Sequence, residues 1–392
     1  MAGLSTIQGF WSIITEIDLR PLAGEALQNL QIAIVASSKN HADLLADQMR
    51  RDPSRPDLES DTPVLILDYA SASQARQSDL VILLMDGEKT DFSTEKELAR
   101  ALADAGRRVL AFVVLPDKPA GSTTTFPQLP WKPRYAVYGP VDDAEFLSHK
   151  FVLAVIRLLP DKVLALGRSF PLFRVPIAHY LINDTSQSNA AYSLATGLAE
   201  IVPILNIPFV VTDMIILTKN QAFMAYKLGL IFDYSTEWKD YLGEFGSVLG
   251  FGFVLRQLAR TLVGLIPVIG ILPKVAVSYA GTVVVGNAIL QWYLTGRHIS
   301  SKQISSLYSQ AYLRGKNFVG RFLPRFPRRK KQALPAAQSQ AQALPQPKKK
   351  AKAKRGAKQV CPQCGRTSAA DAVFCQYCGY SFSSSAPSTP AP

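Results

Sequence analysis

The stretch QIAIVASSKNHAD, residues 31–43, decides the fold. Its first six residues form a continuous apolar run, without the alternation of a strand that has one wet face. Four more such runs follow: VLILD (64–68), LVILLM (80–85), VLAFVVL (109–115) and YAVY (135–138). Strands of this kind are buried on both faces, as parallel strands are when helices cover both sides of a sheet. Helices fit between them. One begins near Asp43, and one opens with Thr94 and Glu97 at capping-box spacing and runs through ELARALADAG. A third covers Asp142 to Leu159. Strands alternating with helices over 31–160 predict a doubly wound, mostly parallel α/β sheet.

The same stretch bears on chemistry. Residues 36–43, ASSKNHAD, stand where a nucleotide-binding sheet carries its phosphate loop, G-x-x-x-x-G-K-[ST]. Ala36 and His41 replace the glycines, Ala42 the lysine and Asp43 the Mg-binding hydroxyl. A carboxylate at that helix start repels phosphate. In order and spacing of elements, this region resembles an Era-like or Ras-like GTPase domain. The resemblance implies two further motifs, D-x-x-G and N-K-x-D. The first reads Asp68-Tyr69-Ala70-Ser71, without its glycine, and the second Leu115-Pro116-Asp117-Lys118, without its asparagine. The expectation is a GTPase-like platform with its catalytic motifs lost and no nucleotide partner. The alternative is a hydrolase with an atypical phosphate loop, in which Ser37, Ser38 and Lys39 converge on phosphate and Mg. Residues 120–134 read as a proline-rich surface loop before the last strand.

From 165 to 300 the chain changes to long apolar helices rich in Gly and Ala. IPFVVTDMIILTKNQAFMAYKLG, from Ile207, and LVGLIPVIGILPKVAVSYAGTVVVGNAIL, from Leu262, resemble the YcjF-type uncharacterised domain family. That resemblance implies a bacterial protein at or near the inner membrane, with no settled activity. Thr212 and Asp213, Lys219 and Asn220, Tyr226 and Lys227 recur every seven residues and make a polar stripe on one helix. The stripe reads as a hydrogen-bonded packing face ahead of a substrate path. Arg256 and Arg260 form a basic pair at i, i+4.

Val275 to Gly296 carries no charge and is long enough for a bilayer, bracketed by Lys274 and Arg297, with Trp292 and Tyr293 near one end. A core helix of a soluble bundle reads the same way. Thr261 to Pro273 is too short to span and fits a re-entrant or buried piece. At the N-terminus, Ile7, Phe10, Trp11, Ile14 and Ile17 fall on one face of a helix over 5–19. Its polar face holds Glu16 and Asp18, which favours docking on its own domain over lying on a membrane.

The chain has 392 residues and a net charge of +13, unevenly spread. Between Glu244 and Asp371 there are 21 Lys and Arg and no Asp or Glu, so the rest is net acidic. Order is expected to fade after 297. GKNFVGRFLPRFPRRKK spaces Phe318, Phe322 and Phe326 by four, and a Gln/Ala/Pro linker and KKKAKAKRGAK follow. A polyanion meets this half: an anionic membrane surface, favoured by the neighbouring apolar helices, or a nucleic acid.

All four cysteines lie at the end, as CPQCG (Cys361, Cys364) and FCQYCG (Cys375, Cys378). Two Cys-x-x-Cys pairs at this separation predict a zinc ribbon holding one zinc ion, Zn2+, with Gly365 and Gly379 letting the turns close. The other reading, two disulfides, suits an oxidising compartment, and no secretory signal opens the chain. His41, His149, His179 and His298 are scattered, and no acid, base or nucleophile emerges.

The expected organisation is an N-terminal helix (1–30), the α/β domain (31–160), an all-α hydrophobic helical domain (165–300), a basic, largely disordered linker (301–358), the zinc ribbon (359–382) and a disordered tail (383–392). The function that follows is a scaffold or regulator on the cytoplasmic side of a bacterial inner membrane, or in the cytoplasm. Protein partners would meet the ribbon or the α/β platform.

Overall fold

The computed structural model describes residues 18–53, 55–59, 61–115, 126–199, 209–237, 240, 271–297, 299–322, 358–362 and 365–369. The expected N-terminal helix lies almost wholly outside them, as do Arg256, Arg260, His298, Cys364, Cys375 and Cys378.

The five apolar runs form one parallel sheet. Its strands are β1 (Ile32–Ala36), β4 (Val64–Leu67), β5 (Leu80–Asp86), β6 (Arg108–Val114) and β7 (Ala136–Gly139), in the order β4-β1-β5-β6-β7. A short antiparallel pair, β2 (Arg51–Asp52) and β3 (Arg55–Glu59), stands apart from the sheet. Successive side chains point to opposite faces. Ile32, Ile34, Leu80, Ile82, Leu110 and Phe112 enter one core, and Ala33, Val35, Val81, Leu83, Ala111 and Val113 enter the other. Both faces are covered, which is why the runs do not alternate.

On the second face lie α3 (Ser93–Asp104) and a 3-10 turn (Ala72–Gln77). On the first lie α2 (Lys39–Arg50), a helix α4 over 144–158 and later helices. The helix after β1 starts at Lys39, earlier than the expected start near Asp43. Ser38 is extended and its Oγ accepts the His41 N–H at 3.4 Å, so the cap falls one residue ahead of Lys39. The capping box at Thr94 and Glu97 does not form. Both residues are exposed, and α3 begins at Ser93, whose N–H donates to Asp91 Oδ1 at 2.9 Å. Helix α4 contains a π turn, Leu147–Phe151.

An α-helical bundle follows the sheet: α5 (Val163–Ser169), α6 (Pro171–Ala199), α7 (Phe209–Ile231), α8 (Ile271–Thr295) and α9 (Ser301–Phe322). The first helix, α1 (Arg20–Ala26), packs on α5. A single apolar core joins sheet and bundle through a run of rings. Phe112 and Phe151 are 5.7 Å apart, Phe151 and Phe173 5.9 Å, and Phe173 and Phe170 5.5 Å.

Helix α8 is the centre of the bundle, packed against α6, α7 and α9. Two glycines let neighbours come close. A Cβ on Gly286 would sit 2.6 Å from Ile182 on α6, and one on Gly315 of α9 would sit 2.8 Å from the Ala276 Cα. Among the described residues, Lys274–Thr295 is the one helix long and apolar enough to cross a membrane, and about two thirds of its window is buried in the protein. The expected loss of order after 297 does not set in there. Residues 301–322 form an amphipathic helix whose Ile304, Tyr308 and Ala311 are buried, mostly against α8. The sequence reading noted Phe318 and Phe322 at four-residue spacing but gave weight to the charge around them and did not single out Ile304, Tyr308 and Ala311.

Candidate functional site

In an open parallel sheet, ligands are held outside the carboxyl ends of the strands, where the strand order reverses. Here the chain leaves β1 toward β4 and returns to place β5 on the other side, so the reversal lies between β1 and β5. The residues at this edge are Ser37, Ser38, Asp68, Tyr69, Asp86 and the start of α3.

The connection from β1 to α2 is short. The strand ends at Ala36 and the helix starts at Lys39, leaving only Ser37 and Ser38. A phosphate loop surrounds oxyanions with several consecutive backbone N–H groups ahead of the helix. Two residues leave no loop of that kind, and the Ser38 hydroxyl is engaged in the cap. Lys39 is exposed on the first turn of α2.

Tyr69 fills the space that remains. It follows β4 and reaches across the end of β1, where its single hydroxyl proton has two acceptors within reach, the Glu95 carboxylate at 3.1 Å and the Leu84 carbonyl on β5 at 3.3 Å. Glu95, fully buried in the first turn of α3, has a carboxylate oxygen 3.1 Å from the phenol and 2.7 Å from Lys89 Nζ. Lys89 also lies over the Tyr69 ring, 6.0 Å from its centroid. Burial, and then the negative charge of Glu95, push the Tyr69 phenol well above its ordinary pKa, so it stays protonated and remains a donor. The second Glu95 oxygen has no hydrogen-bond partner among the described residues.

The neighbouring carboxylates are engaged locally. Asp68 accepts the Ser71 N–H at 2.7 Å, and the Ser71 contacts hold its pKa below the usual range. Asp86 accepts the Glu88 N–H at 3.0 Å. The edge thus holds a polar plug in which the buried Glu95 is paired with Lys89, while Asp68 and Asp86 accept backbone N–H groups beside it. Sequence reasoning named Ser37, Ser38, Lys39 and Asp68 but missed Tyr69, Lys89 and Glu95. Tyr69 stood inside the stretch Asp68–Ser71 that was compared with a D-x-x-G motif. Glu95 had no local signal, because nothing in STEKELAR shows that its third residue points into the protein.

A second polar constellation lies inside the bundle. Asn189 on α6 donates from Nδ2 to Thr282 Oγ1 on α8 at 2.8 Å, and its Oδ1 accepts from Asn220 Nδ2 on α7 at 2.7 Å. Gln221 donates to Thr282 at 3.3 Å, and Ser278 donates to the Asn189 carbonyl at 3.1 Å. Asn189, Thr282 and Ser278 are buried. Asn220 belongs to the predicted polar stripe and meets its neighbours as a packing residue. Lys219 and Lys227 are half-buried, and Tyr226 donates to the Thr236 carbonyl.

At the end of the chain, β8 (Lys358–Val360) and β9 (Thr367–Ala369) pair antiparallel. Between them Gly365 has φ +65°, and its N–H donates to the Cys361 carbonyl at 2.9 Å, so the first cysteine turn closes as the glycine suggested. The zinc cofactor itself is corrected. Four donors must converge on one point to hold zinc. Among the described residues no group of three or more His, Cys, Asp or Glu does so. Cys361 is the single described cysteine and is buried, while its expected co-ligands Cys364, Cys375 and Cys378 lie outside the described residues.

No family model matches the chain, and no curated protein or solved structure does either.

Proposed function

We propose that this protein is a scaffold or regulator on the cytoplasmic face of a bacterial membrane, with a GTPase-like sheet that binds a protein partner and performs no catalysis. The observation that carries this reading is the Tyr69–Glu95–Lys89 plug. It occupies the edge where a doubly wound sheet otherwise receives its ligand, behind a β1–α2 connection of two residues. The YcjF-type resemblance of the helical region supports the membrane setting. So do the apolar helix Lys274–Thr295 and the absence of any acid from 245 to 370. With about two thirds of that helix's window already buried by its own bundle, the association is peripheral or shallow in preference to a full crossing.

Two measurements test it. Calorimetry with Mg-GTP and Mg-ATP is expected to show no binding tighter than millimolar, and micromolar binding would replace the platform with a working nucleotide site. Fractionation of cells expressing the full chain is expected to place it with membranes at low salt and release it at high salt. A chain that stays in the supernatant at low salt and is monodisperse without detergent removes the membrane from the reading.

A further inference from the structure

We infer that the outer face of α9 is the surface that docks on anionic lipid, with Leu313 as its apolar contact. This deepens the membrane reading above and rests on it.

The face is defined by what it does not bury. At 100° per residue, Ile304, Tyr308, Ala311 and Gly315 fall on the side packed against the bundle. The opposite side carries Lys302, Ser305, Ser309, Leu313, Lys316 and Asn317, all exposed. Leu313 is 61% exposed, the most exposed large apolar side chain among the described residues. Its neighbours on the face are two lysines, two hydroxyls and an amide, and the helix has no acid.

Charge complementarity names the partner. The chain from 245 to 370, to which α9 belongs, holds 21 basic residues and no acidic one, while the remainder is net acidic, so a polyanion is drawn to this part of the chain. The exposed leucine separates lipid from nucleic acid. A phosphate backbone offers it nothing, whereas an interface lets lysines stay at headgroup level while an apolar side chain enters the acyl boundary. The face also lies on the helix packed against α8, the most apolar long helix described, which sets it beside the element already suited to a membrane surface.

The test uses the full chain and sedimentation with vesicles of phosphatidylcholine alone or mixed with phosphatidylglycerol. The unmodified protein is expected to pellet with the anionic vesicles and remain in solution with the neutral ones. Lys302→Gln with Lys316→Gln should weaken partitioning about 25-fold, since each charge near the surface contributes roughly fivefold. Leu313→Gln should weaken it further with little change in the thermal midpoint, because most of the side chain is exposed and Gln keeps the helix propensity of the site. Anionic binding that these variants leave unchanged overturns the α9 assignment and leaves the membrane reading standing. Failure of the unmodified protein to bind either vesicle overturns both. Binding to duplex DNA that the same variants abolish, without vesicle binding, assigns the face to nucleic acid and also overturns the inference.

Discussion

The Tyr69 hydroxyl and the Glu95 carboxylate meet at 3.1 Å across the carboxyl edge of the sheet, although 26 residues separate them in the chain. Tyr69 follows the edge strand β4 and Glu95 opens α3, so their contact closes the point at which the strand order reverses. A fully buried carboxyl group that pairs with Lys89 depends on each donor it has. Tyr69→Phe keeps the ring and removes one donor, and should cost about 1.5–3 kcal/mol. Urea unfolding should show a lower midpoint with an unchanged slope. An unshifted midpoint would mean that the hydroxyl takes no part in holding the edge closed.

The Asn189 side chain links three helices, and its loss leaves Thr282 and Asn220 each short of a partner. Asn189→Ala should destabilise by about 2–3 kcal/mol, as unsatisfied buried polar groups do. Thr282→Val removes the same link from the other side, so the double variant should lose less than the two single losses added together. Strict additivity in the double-mutant cycle would show the pair to be uncoupled.

Gly315 and Gly281 give opposite expectations for the same change. At Gly315 a methyl meets the backbone of Ala276 at 2.8 Å, so Gly315→Ala should separate α9 from α8 and cost about 1–3 kcal/mol. At Gly281 nothing lies within 4 Å of the added carbon. Gly281→Ala should therefore stabilise the helix by about 0.5–1 kcal/mol, from propensity alone. Thermal melts of the two variants check both signs, and the same sign in both would refute the close helix approach.

His179 on α6 is pushed down to about 4, first by burial and then by the charge of His149. Its folded pKa lies below its unfolded value of about 6.5, so the unfolded chain takes up the proton more readily. Stability from this residue is fully present above about pH 6.5 and is lost as pH falls toward 4. Replacing it by Gln should flatten that part of the stability profile. A His179→Gln profile that keeps the full acid slope would assign the slope to other groups.

The α/β class was legible in the sequence because parallel strands buried on both faces leave continuous apolar runs, and QIAIVA, LVILLM and VLAFVVL are short, rich in β-branched residues and separated by helical segments. That residues 36–43 do not spell a phosphate loop was equally legible, since that motif is written in adjacent positions. The reversal point's occupant was not legible. Tyr69, Lys89 and Glu95 come from a strand end, a loop and a helix start, and only the packing of three elements shows that they share one spot. The extent of α9 was hidden by its charge. Ile304, Tyr308 and Ala311 lie at helical spacing, but that spacing acquires meaning only when α8 supplies the surface that buries them. The cysteine spacing, finally, could propose a metal but could not place one. Coordination is a property of where four side chains end up, and local spacing governs only the turn that Gly365 closes.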